Sequence, residues 1–275
     1  MFQTIMNGRT NDTVIVRKNI SNLGNELSPF RTAMDKFMAI RDNRGYNQIA
    51  GFHGAPDWWC WHHEESSRSI TRAHLFLPWH RAYLKWFEDH LRDHDKSVSQ
   101  CWWDWTSDLS HNEGMPRAYT DETVDAELNP LYKFHMTVLA PTVQGLPDIT
   151  LDEDTVRNPD SPNDLPEPSR VKDLYTIEDF GQFSTAIEEI HDEIHMWCHG
   201  SMGRVSTAAY DPIFYAHHCN IDRIWSIWQN THGNSTMPPD LLDISLAPFP
   251  YTVKHVLKIY DLGYEYATSS SEVKL

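Results

Sequence analysis

Two histidines stand four residues apart, His191 and His195, among the apolar residues Phe183, Ile187, Ile190, Ile194 and Cys198. At 3.6 residues per turn these positions form one face of a helix predicted over 181–199, and both imidazoles share it. They therefore point into a core. A second helix predicted over 212–230 repeats the pattern, with His218 on the stripe of Ile221, Asp222 and Trp225. A buried imidazole needs polar partners. A backbone carbonyl satisfies one such ring easily; three on facing helices are satisfied together by a shared metal ion. The expected architecture is mainly α, a central four-helix bundle holding that site, with long loops and little β.

A second histidine group lies upstream. His80 opens a helix predicted over 79–95, just after Pro78, with Tyr83, Leu84, Phe87 and Leu91 on its stripe. His53 sits in Phe52-His53-Gly54, and His62, His63 and His74 fall between. Imidazole-rich sites suit copper, which heads the divalent affinity order. Two all-histidine sites in one domain suggest a copper pair that handles oxygen. The zinc-protease pattern HExxH fails here, because Asp192 occupies the place of the general-base glutamate. Glu188-x-x-His191 is half of a di-iron carboxylate motif, and the other histidine helix lacks the second half.

The 275 residues fit one sizeable domain. A net charge of -16 argues against nucleic acid or an anionic membrane surface as partner. No run approaches a membrane span, and the first residues lack a basic segment followed by an apolar one, so a cytoplasmic protein is expected. Cys60, Cys101, Cys198 and Cys219 are too scattered for a disulfide framework. A further helix is predicted over 20–42, and irregular chain over 43–79 and 106–175. Within the latter, 141–169 carries six prolines and seven acidic residues against the single Arg157, and reads as an acidic surface loop. Short alternating runs after about 240 suggest a little strand.

Several of these stretches together resemble the type 3 copper proteins of the tyrosinase and catechol oxidase family. They are a lead at Val16-Arg17-Lys18, read as entering a helix, then Phe52-His53-Gly54, Leu77-Pro78-Trp79-His80-Arg81-Ala82-Tyr83 and Trp103-Asp104-Trp105. The His191/His195 helix, the run from Asp211 to Arg223 with its His217-His218-Cys219-Asn220-Ile221-Asp222-Arg223, and Tyr264-Glu265-Tyr266 complete the set. The resemblance covers nearly the whole chain. It implies that one copper takes His53, a middle histidine and His80, and the other takes His191, His195 and His218, with His217 a neighbour. The family's usual middle position, nine before the helix histidine, is Thr71 here. His62 is the expected replacement, with His63 and His74 as alternatives. Cys60-Trp61-His62 matches the Cys-x-His of members whose cysteine is bonded to the ligand ring, against the plain reading of Cys60 as a buried thiol.

The resemblance also implies O2 as co-substrate and oxidation of o-diphenols to o-quinones, extended to ortho-hydroxylation of monophenols. Phe214 matches an aromatic residue packed over the site. Glu188 is the candidate for the glutamate that holds a water, and Asp192 stands where the family has asparagine. Met196 is expected at the entrance or in the core. Asp222 is expected to orient a ligand or to pair with Arg81 or Arg223. The reading is of a single catalytic domain over 1–275 with no C-terminal shielding domain, acting on small phenols, and either constitutively active or supplied with copper by a separate partner. An o-aminophenol oxidase, a hemocyanin-like oxygen carrier and a mononuclear zinc hydrolase are the competing readings.

Overall fold

Helices Leu27–Met38 (α1), Tyr46–Gly51 (α2) and Arg72–Arg92 (α3) lead into short helices Asp108–Glu113 (α4), Arg117–Thr120 (α5) and Pro168–Leu174 (α6). The long helices Phe180–Cys198 (α7) and Ile213–His232 (α8) follow, then Val253–Val256 (α9). This computed structural model describes residues 14–60, 72–139 and 149–268. α3, α7 and α8 pack on one another, with α1 against α3, and form the predicted bundle. α8 is its axis: every residue from Ile213 to Ser226 is buried, the mark of a helix surrounded on all sides.

The ends of the two downstream helices are set by local chemistry. The Asp179 side chain accepts from Gln182 N (2.9 Å) and caps α7. Asp211 accepts from Ile213 N (3.1 Å) at the start of α8. Gly233, at φ 69°, ends α8 by donating its N–H to Gln229 O (2.8 Å).

Three sequence expectations are corrected. Helix α3 begins at Arg72 and carries Pro78 inside it; tertiary packing on both sides overrides the missing backbone donor. Val16-Arg17-Lys18 is no helix lead: Ile15–Asn19 is strand β1. The region 106–175 is not merely irregular. It holds the hairpin Thr123–Val124 (β3) with Glu127–Leu128 (β4), and antiparallel strands His135–Leu139 (β5) and Thr150–Asp154 (β6). Arg157, the lone cation of the acidic stretch, has a side chain only 8% exposed and fastens it. Its Nε and Nη2 donate to Asp211 (2.9 and 2.6 Å to Oδ1), Nη1 to Tyr119 O (2.6 Å) and Nη2 to Leu131 O (3.1 Å).

β1 pairs in parallel with both Cys101–Trp102 (β2) and Tyr264–Tyr266 (β7). Tyr264 and Tyr266 are two apart and share a face. They close over Arg17, whose guanidinium lies 3.6 Å from the Tyr264 ring centroid. Both hydroxyls donate to Asp222 Oδ2 (2.6 Å each). Arg81 Nε donates to Asp222 Oδ1 (2.5 Å), and Arg17 bonds Glu88 (Nη2–Oε2 3.0 Å). The expected partner of Asp222 is therefore Arg81, joined by Arg17. Arg223 instead lies over Trp102, 4.0 Å from the ring centroid. This buried network ties α3, α8 and both ends of the described chain together directly behind the histidines.

Candidate metal centre

Four elements bring imidazoles to one point. α7 supplies His191 and His195, α8 supplies His217 and His218, α3 supplies His80, and the turn after α2 supplies His53. The downstream set is tight: His218 Nε2 lies 3.2 Å from His191 Nε2 and 3.4 Å from His195 Nε2. Donor atoms of His191, His195, His217 and His218 all lie within 4.8 Å of one another, as do those of His53, His80 and His218. His218 thus belongs to both groups, and its ring stacks on that of His80 at 4.3 Å between centroids. The two groups form one continuous cluster.

Hydrogen bonds fix which nitrogen faces inward for three of these rings. His80 Nδ1 donates to Phe76 O (2.8 Å), His195 Nδ1 to Met202 O (2.8 Å) and His191 Nδ1 to Asp192 Oδ1 (2.9 Å). With its proton on Nδ1, each of these three rings turns an Nε2 lone pair to the centre. His218 Nε2 can donate to at most one of the two lone pairs that face it from His191 and His195. An ion about 2.0 Å from each nitrogen would hold them about 3.3–3.5 Å apart, the spacing observed. The residues present therefore fit a metal ion held by neutral imidazoles.

Burial keeps these rings neutral. It lowers the pKa of His218 well below the ordinary value, and the neighbouring imidazoles of His80, His191, His217 and His195 add to the effect. His53 and His217 are lowered in the same way, by burial first and by nearby histidines second. His195 keeps a partly exposed edge, yet burial of the rest of its ring brings its pKa to about 4, against the Met202 carbonyl bond that raises it. Neutral rings are the form a metal binds.

The remaining predicted residues fall as follows. Phe214 packs against His218 (4.0 Å between centroids) and His53 (4.8 Å) and so covers the cluster. His217 stacks face to face on His191, 5.1 Å away. Asp192 is spent on His191 Nδ1, on the side away from the converging nitrogens. Glu188 is half-buried on α7 one turn before His191, and Met196 is exposed beside His195. His74 packs on Phe180 at the start of α7, and is in neither histidine group. His62 and His63 lie outside the described residues, and with them the Cys60–His62 bond. Cys60 itself is buried with Sγ 3.6 Å from His80 Nε2, so the turn from His53 returns to the cluster.

Sequence reasoning missed the carbonyls of Phe76 and Met202 that set the tautomers. The first has a signal, since residue i−4 lies under His80 on its helix; the second, on a loop, has none. It also missed Gly54, whose added Cβ would lie 2.3 Å from Val205 O. Only glycine lets the His53 turn close on that loop.

Comparisons with known proteins agree with the geometry. Residues 43–231 match the family described as the common central domain of tyrosinase. Hemocyanin 2 of Megathura crenulata is 33% identical over 234 residues, which cover 78% of this chain and 6% of that one. Hemocyanin units G and H of Sepia officinalis are 32% identical over 231 residues, 78% of this chain and 38% of that one. This chain therefore spans a small part of those long relatives. Among solved structures, a functional unit of octopus hemocyanin superposes with a TM-score of 0.74 at 28% identity, over 92% of this chain and 68% of that one. The tyrosinase of Burkholderia thailandensis shares the fold, with a TM-score of 0.77 at 20% identity over 96% of this chain and 75% of that one.

Proposed function

This chain belongs to the tyrosinase family of type 3 copper proteins, and on that premise we propose that it binds a copper pair and oxidises o-diphenols to o-quinones with O2. His191, His195 and His218 would hold one ion. His53 and His80 would hold the other, with His62 as the third ligand. The pair, when bound, supplies the two-electron exchange between phenol and oxygen. The chain's own residues do the rest. The Nδ1 bonds of His80, His191 and His195 keep those rings oriented, Phe214 excludes water from the cluster, and neutral imidazoles let the metals change oxidation state without an added fixed charge.

The observation that favours turnover over simple oxygen carriage is the open edge on α7. His195 is partly exposed, and Met196 beside it is 56% exposed. Among the described residues, this side of the cluster offers a path for a small phenol. Asp192 does not face that path as a free base, because its carboxylate already accepts from His191. Diphenol oxidation needs no separate base, and hydroxylation of monophenols is the slower activity expected here. The second reading, reversible oxygen binding, draws on the hemocyanins among the relatives.

Oxygen uptake by copper-loaded protein tests the proposal. Steady uptake with a catechol, and slower uptake after a lag with the matching monophenol, is expected. Two bound coppers with no uptake from either substrate would overturn oxidase activity in favour of oxygen carriage.

A further inference from the structure

The loop between α7 and α8 touches a ligand of one set and the turn that carries a ligand of the other. Met202 O accepts from His195 Nδ1 at 2.8 Å, on the downstream side. Three residues later, Val205 O lies against the turn that carries His53, on the upstream side. The turn carrying His53 is pressed onto the same loop: Gly54 has no room for a Cβ against Val205 O, and Ala55 N donates to Ser206 O (3.3 Å).

The loop is itself latched. Thr207 Oγ1 donates to Ser201 O (2.8 Å), closing 201–207 into a ring, and Thr207 N donates to Arg204 O (3.0 Å). Ser201 is moored in turn to the strand-like segment at Val156, by Ser201 N to Val156 O (2.8 Å) and Val156 N to Ser201 Oγ (3.0 Å). Ser201 and Thr207 are both buried. A buried hydroxyl closing so short a loop fixes the separation of the two carbonyls that it carries.

We propose that the 201–207 loop is a spacer that keys the two metal sites to each other, and that Thr207 is the positioning residue that latches it. The inference rests on the copper-pair reading above. Thr207 touches neither metal nor substrate; it acts through the Met202 and Val205 carbonyls. Without the latch each ligand ring keeps its nitrogen but loses its fixed orientation. His53, which the loop reaches only through its turn, goes first.

The test compares wild type, Thr207→Val and Thr207→Ser, each loaded with Cu(II) and freed of excess metal. Copper per chain is measured together with the EPR-visible fraction, because two Cu(II) ions held close enough to couple are EPR-silent. Wild type should hold two silent ions. Thr207→Val should bind the upstream copper about 10-fold or more weakly, the usual cost of losing a partner behind a ligand, and its remaining copper should become EPR-visible. Thr207→Ser, which keeps the hydroxyl, should restore the silent pair. Gly54→Ala pushes the same loop from the other side and should give the uncoupled signal too, which covers a Thr207→Val that does not fold. A Thr207→Val protein with two silent coppers overturns the proposal, as does a Thr207→Ser protein that matches Thr207→Val. A wild type without a coupled pair sinks the copper-pair reading first, and this inference with it.

Discussion

Asp222→Asn removes one charge from a buried cluster that is otherwise balanced. Arg17 and Arg81 face Glu88 and Asp222, and none of the four is more than 3% exposed. Burial alone would raise the Asp222 pKa, but the Arg81 and Arg17 guanidiniums and the two tyrosine hydroxyls outweigh it and hold the group below the ordinary carboxylate range. The asparagine keeps an oxygen for one or two of these donors and leaves a guanidinium without its counter-charge. Breaking a buried pair this way costs about 3–5 kcal/mol, a large share of the roughly 5–15 kcal/mol that holds a domain folded. The expected result is a fall in the urea midpoint at unchanged slope, and a Tm lower by about 10 °C. Because Asp222 sits one turn after His218 and Arg81 directly follows His80, the variant should also loosen copper. Apo and copper-loaded proteins should therefore both be melted, and the stabilisation by copper should shrink. A loss below about 1 kcal/mol, within the range of a surface pair, would refute the claim that this cluster clamps α3 to α8.

Three further outcomes are expected. Arg157→Met strands the fully buried Asp211 carboxylate and should cost about 3–5 kcal/mol by urea denaturation; a neutral result would show that the acidic segment is not anchored there. Asp192→Ala removes the acceptor of His191 Nδ1 and should weaken copper about 10–100-fold in a chelator competition, with Asp192→Asn, which keeps an oxygen acceptor, closer to wild type; equal losses in both would mean that charge matters rather than the hydrogen bond. The metal-free protein should lose stability as pH falls below the unfolded histidine value of about 6.5, since the unfolded chain then binds protons that the buried rings refuse. His195, with its pKa near 4, contributes at most about 3 kcal/mol to this loss, less where solvent reaches its edge. Copper should move the acid transition lower, and identical apo and loaded transitions would count against histidine ligation.

What the sequence revealed and what it hid divide along one physical line. The bundle was legible because α7 and α8 advertise buried faces in their spacing, and an imidazole inside such a stripe stands out as a polar group needing a partner. Periodicity carries information within an element and none between elements. Hence Arg17, read as leading into a helix, proved to be a strand residue whose charge is answered by Glu88 from α3 and Asp222 from α8. Arg157 looked like a stray cation in an acidic loop, and its partner lies 54 residues away. The same limit governs the metal centre. Its nitrogens come from side chains that patterns can find, but the carbonyls that aim them belong to Phe76 and Met202, where any residue supplies the same backbone group. Substitutions at those two positions should thus be tolerated when the backbone path is kept. Changes at Gly54 or Thr207, which hold that path, should reach the metals without touching them.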